Sequence, residues 1–156
     1  MTGKRFSLIA VLLSLLFCSC TNRHEGYSFL SLKDNPDGLN YTFTIDTLCT
    51  YDTYISCKFN SRAVSDKLLR MRVIVTDPRG ENYCDTLVLP LHSRENETSV
   101  ADGILICNEG AYTDIQWPYR SGVKSDIIGK WGVTFDLLSN SEGILGMGFS
   151  YMPAKK

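Results

Sequence analysis

The chain reads as an all-β protein, an antiparallel β-sandwich of about seven or eight strands that follows a lipoprotein signal peptide. Three observations predict this. Apolar residues recur at every second position through most of residues 39–156, clusters of turn residues separate those runs, and no segment after residue 20 carries a sustained 3.6-residue apolar period. A chain with seven or eight half-buried strands and no helices to cover a sheet must bury sheet on sheet.

The runs can be taken in order. Tyr41, Phe43 and Ile45 alternate with Thr42, Thr44 and Asp46. Tyr51, Thr53, Ile55, Cys57 and Phe59 do the same, as do Leu69, Met71, Val73 and Val75 against Arg70 and Arg72. Leu87, Leu89 and Leu91 form a fourth run, and Ile104 to Cys107 a short fifth. Trp131, Val133, Phe135 and Leu137 alternate cleanly, followed by Leu145, Met147, Phe149 and Tyr151. β-Branched and aromatic residues dominate, as a pleated and half-buried surface favours. Asp77-Pro78-Arg79-Gly80 suits a type I turn, because proline supplies the fixed φ of its second position. Ser139 to Gly143 is expected to close a last hairpin, and His92 to Gly103 to form a longer surface loop.

The first twenty residues bear on location. Lys4 and Arg5 precede an apolar run from Phe6 to Phe17, too short to cross a bilayer, and Cys18-Ser19-Cys20 follows. A small residue must precede a lipidated cysteine; Ser19 before Cys20 meets that need and Phe17 before Cys18 does not. Residues 1–19 are thus expected to be a signal, Cys20 the lipidation site, residues 20–38 a polar tether and residues 39–156 the sandwich. Thr21 and Asn22 after the cysteine, with no aspartate there, point to the outer membrane and a periplasm-facing domain. Acyl chains on Cys20 would hold the protein at a membrane surface.

Loss of Lys4 and Arg5 with the signal leaves 14 basic against 17 acidic residues. That balance speaks against nucleic acid and anionic headgroups as partners. Cys49, Cys57, Cys84 and Cys107 are an even set in an oxidising compartment, and they read equally as two disulfides or as small apolar core residues. With no Cys-x-x-Cys pair and only His24 and His92 available, neither a metal site nor a cofactor is expected.

No nucleophile elbow or activated histidine suggests catalysis. Asp102, Glu109, Asp114 and Asp126 are the carboxylates from which a hydrolytic pair could be drawn. The glycines at 143, 146 and 148 lie within a strand pattern and imply close sheet packing rather than a phosphate cradle. Tyr112, Trp117, Tyr119 and Arg120 form the best candidate binding surface, because these residue types dominate binding hot spots and Pro118 is expected to interrupt regular pairing beside them. A flat, solvent-facing Trp117 would favour carbohydrate; a buried one would favour a protein scaffold.

From Tyr41 onward the landmarks resemble the GldH gliding-motility lipoproteins of Bacteroidetes. They are Phe43-x-Ile45-Asp46, the run through Tyr54, Leu69 to Val75, Asp85-Thr86-Leu87, Gly129-x-Trp131-x-x-x-Phe135 and Ile144-Leu145-Gly146-Met147-Gly148. The chain departs from that family where Leu137-Leu138-Ser139 replaces its Met-Arg pair. The resemblance implies a non-enzymatic envelope lipoprotein associated with gliding or type IX secretion machinery, bound to an envelope protein complex. Asp46-Thr47-Leu48 and Asp85-Thr86-Leu87 are similar to the Asp-Thr-apolar sites of O-glycosylation in that phylum, which marks Thr47 and Thr86 as candidate acceptors. The alternative function is a carbohydrate-binding accessory lipoprotein that uses Tyr112, Trp117 and Tyr119.

Overall fold

The computed structural model describes residues 26–35, 38–91 and 103–154. The signal, Cys20 and most of the 92–103 loop lie outside them. Among the described residues there are nine strands: β1 (Gly26–Ser31), β2 (Leu39–Ile45), β3 (Thr50–Asn60), β4 (Leu68–Thr76), β5 (Asn82–Pro90), β6 (Leu105–Glu109), β7 (Tyr112–Lys124), β8 (Gly129–Leu137) and β9 (Ile144–Pro153). They form a five-stranded sheet in the order β1-β9-β3-β7-β6 and a four-stranded sheet in the order β2-β8-β4-β5, with every pairing antiparallel. The fold is therefore the expected β-sandwich, with more strands than the sequence pattern suggested.

The inward positions of the alternating runs make the core. Ile55, Cys57, Leu69, Met71, Val73, Val133 and Met147 are fully inaccessible, with Tyr41, Phe59, Ile115, Trp117 and Phe135 packed around them. Tyr41 also spans the sandwich, donating its hydroxyl to the Met147 carbonyl at 2.6 Å. That bond satisfies a phenol that would otherwise be buried at a cost.

Three expectations about the chain path need correction. The segment read as tether up to residue 38 supplies β1, an edge strand paired with β9 from Gly26↔Tyr151 to Ser31↔Gly146. Its apolar signal is weak because β9 opposite it is glycine-rich, so one ring covers the surface: a Cβ at Gly146 would lie 2.6 Å from the tip of Phe29, and one at Gly148 would collide with the Ser56 hydroxyl. The glycines thus serve close packing, as the sequence implied. Residues 139–143 do not close a hairpin but carry the chain across the sandwich, since β8 pairs with β2 and β4 whereas β9 pairs with β1 and β3. Pro118 does not interrupt β7 either; it stands in register with Tyr54 of β3. The sheet tolerates it there because β6 stops at Leu105↔Gln116, which among the described residues leaves the other side of β7 without a strand needing the missing N–H.

The Asp77-Pro78-Arg79-Gly80 turn joins β4 to β5, as expected. Gly80 donates to the Asp77 carbonyl at 2.9 Å and adopts φ +87°, where glycine is free of the Cβ penalty. The buried Asp77 carboxylate accepts the backbone N–H groups of Arg79 and Glu81 at 2.8 and 2.9 Å. These bonds and the Arg79 guanidinium outweigh burial and hold its carboxyl below the usual range.

A candidate binding cavity at one end of the sandwich

At the end where β2, β4 and β7 finish and β3, β5 and β8 begin, the two sheets part around a cavity of about 490 Å³. That volume falls within the range of small-molecule sites. Aromatic rings form a large part of its wall: Phe43, Tyr51, Trp131, Phe149 and Tyr151 from the strands, with Tyr83 and Tyr119 at its rim, beside the aliphatic Ile45, Val75, Val123 and Ile127. Phe43 is central to the packing, its ring 4.6 Å from that of Tyr151 and 5.5 Å from that of Phe149, while Tyr51 meets Tyr151 edge-on at 5.9 Å. Such rings hold one another in place at little entropic cost. Tyr51 donates to the Thr47 carbonyl at 2.9 Å and so ties the β2–β3 loop over the cavity. Burial, assisted by Cys49, pushes the Tyr51 phenol far up, so it remains neutral. The indole N–H of Trp131 is shielded and has no acceptor among the described residues.

The polar side of the cavity is a clasp between the sheets. Tyr119 donates its hydroxyl to Asp85 Oδ2 at 2.6 Å, and Arg120 Nη2 reaches the same oxygen at 2.7 Å. Consecutive residues of a regular strand point to opposite faces. Here β7 carries an extra residue against β3, since Tyr54 pairs with Pro118 and the next aligned pair is Thr53 with Arg120. The bulge re-aims the strand so that both neighbours reach one carboxylate. Thr53 pins it, its hydroxyl 3.1 Å from both the carbonyl and the N–H of Arg120. Arg120 first, then Tyr119, holds the Asp85 carboxyl below its usual range. Burial and the Asp85 hydrogen bond push the Tyr119 phenol up to about 12. At neutral pH the clasp is one carboxylate held by a neutral phenol and a guanidinium. The acid is therefore ionised, with one of its oxygens held by both donors.

The residues singled out in the sequence are dispersed. Tyr119 and Arg120 line the cavity. Trp117, only 3% exposed, belongs to the core. Tyr112 is exposed at the opposite end of β7, about 23 Å from Tyr119 at strand spacing. Tyr112, Trp117 and Tyr119 therefore cannot form one sugar platform. The described candidate carboxylates are not gathered at the cavity. Glu109 and Asp114 pair with Lys58 at 3.6 and 3.1 Å on the outer face of the five-stranded sheet, Asp126 lines the cavity, and Asp102 lies outside the described residues.

Cys49, Cys57, Cys84 and Cys107 are all free, which corrects the disulfide reading. Register explains why. Cys57 faces Ile115 and Met147 in the core, Cys84 stands opposite Ile74 on an edge strand of one sheet, and Cys107 opposite Asp114 on an edge strand of the other. Thr47 and Thr86 are both exposed, Thr47 in the β2–β3 loop and Thr86 on β5. Among the described residues no cluster of His, Cys, Asp or Glu stands close enough to hold a metal ion.

Sequence reasoning missed Asp85 as a site residue, having noted it only as the start of an Asp-Thr-Leu triplet. An acidic residue at an inward position of an alternating run was the available signal, since such a charge needs a partner. Comparison of the chain with protein-family models, curated proteins and solved structures finds no match.

Proposed function

We propose that the protein is a lipid-anchored, non-enzymatic binding component of an envelope protein complex, held at the outer membrane through Cys20 and related to the gliding or type IX secretion machinery that its GldH-like landmarks imply. One observation carries the binding part of this reading. One wall of the cavity is a clasp in which Tyr119 and Arg120 hold a single oxygen of the Asp85 carboxylate. A concave apolar site with a few fixed polar groups is built to hold a ligand. The n-region, short h-region and Ser19-Cys20 pair support the anchor.

The test is crosslinking and affinity capture of the full-length protein from intact cells of its native host, with Cys20→Ala as control. The reading expects one or two envelope proteins recovered with the lipidated form and lost with the control. Equal recovery with both forms would remove the anchor from the account, and recovery with neither would remove the protein complex.

A further inference from the structure

The position of the cavity relative to the anchor has a chemical consequence. Gly26, the first residue of β1, pairs with Tyr151, and Tyr151 lines the aromatic cavity. The anchored chain therefore enters the sandwich at the cavity end. Five residues separate Cys20 from Gly26, a link that spans about 20 Å at full extension. With Cys20 in the membrane, that end of the domain is the one kept at the lipid surface.

The surface at that end suits a lipid interface. Leu48 is 56% exposed in the β2–β3 loop and Ile128 56% exposed in the β7–β8 loop, and these loops are joined by the Ser125 N–H to Cys49 carbonyl bond of 3.2 Å. Tyr83 and Val123 are exposed on the cavity rim itself. The charges there are mixed: Arg79, Arg120 and Lys124 stand among Asp85 and Asp126, and both arginines already bridge to carboxylates. Attraction to an anionic headgroup is not what such a rim provides. Exposed Leu48 and Ile128 beside a cavity lined largely by aromatic and aliphatic side chains provide a place for hydrocarbon.

We infer that the end cavity accepts an acyl chain of a lipid in the membrane that carries the anchor, with Leu48 and Ile128 as the loops that enter the interface and Trp131 in the wall of the chain-binding space. This rests on the anchored reading above and names the ligand of its site. Recognition is of the hydrocarbon, so binding is independent of the anionic lipid fraction.

Trp117 and Trp131 are the only tryptophans of the chain, and Trp131 alone of the two lines the cavity. Bromine on an acyl chain quenches a tryptophan only at contact range. The lipidated full-length protein is reconstituted in vesicles of phosphatidylcholine brominated on its acyl chains, and free dibromostearate is titrated in parallel. The expected result is saturable loss of the Trp131 signal in both arms, absent from Trp131→Phe. Quenching by the vesicles should be lost in the Leu48→Asp/Ile128→Asp pair, whose exposed positions leave the core intact. Should the protein fail to float with the vesicles, the anchored reading falls, and the dibromostearate arm alone decides the cavity. Flat titrations in both arms would overturn the proposal and leave the cavity to a side chain of a protein partner. Quenching by the vesicles in the Asp pair equal to that of the native chain would also overturn it.

Discussion

Asp85 and Tyr119 come from opposite sheets, 34 positions apart in the chain, and their side chains meet at 2.6 Å beside the end cavity. The contact exists because three features of different range coincide. Asp85 points inward from an edge strand, β7 bulges next to Thr53, and the two sheets part enough at this end for a phenol to bridge them. An inward charge on an edge strand also discourages further strands from adding there.

The clasp should contribute measurably to stability, and unequally between its donors. Tyr119 is half-buried and its bond is to an ionised group, so Tyr119→Phe should lower the unfolding free energy by about 1–2 kcal/mol. The Arg120 side chain is 57% exposed, so solvent screens its pair, and Arg120→Ala should cost less than about 1 kcal/mol. Urea denaturation of the two variants checks the order, and the double variant reports their coupling through the shared oxygen.

The pH dependence has a definite sign at each limit. Asp85 has a lowered folded pKa, so the unfolded chain binds more protons in the acid range. Its contribution is present above the unfolded carboxylate value of about 3.9 and is lost as pH falls through the folded value. Tyr119 is shifted the other way, from 10.0 to about 12, so its contribution is present below pH 10.0 and is lost as pH rises toward 12. Asp85→Asn should flatten the acid limb of a stability profile and Tyr119→Phe the alkaline limb.

Ser56 and Gly148 give a packing prediction. The Ser56 hydroxyl is buried without a partner among the described residues and lies where a Cβ on Gly148 would go. Gly148→Ala should destabilise by about 1–3 kcal/mol through overpacking. Ser56→Ala should be neutral or slightly stabilising, because it deletes an unpaired buried hydroxyl. Combined, the two should cost less than Gly148→Ala alone, as thermal melts would show.

Thiol reactivity should follow burial. The Cys57 thiol is pushed up to about 12 by burial and is closed to reagent, whereas Cys84 and Cys107 are exposed. Alkylation of the native protein followed by peptide mass mapping should label Cys84 and Cys107 rapidly and Cys57 only on unfolding. Peptides joined through any pair of these cysteines would contradict the free-thiol structure.

The strands were legible because each inward face repeats every second residue: Tyr41/Ile45, Ile55/Cys57/Phe59, Leu69/Met71/Val73 and Val133/Phe135 all reach the core as their alternation implied. What escaped was relational. β1 depends on glycines of β9 more than a hundred positions away, which no local pattern reports. The turn residues at 139–143 specify a reversal but not which sheet receives the next strand. Two residues of the candidate site, Tyr119 and Arg120, were named from residue type, while Trp117 was named for the same reason and lies in the core. Residue type cannot separate them; the register that turns Trp117 inward and the bulge that opens the next two positions can.

The central claim is that the cavity end is the binding end of the domain. A photoreactive residue placed at Ile128, beside the cavity, or at Leu138, beyond the far end of β8, tests it in the full-length protein inside native cells; both positions are more than half exposed. The account predicts discrete adducts from position 128 and none above background from position 138. Adducts from position 138 alone would contradict it and move the binding surface to the opposite end of the sandwich.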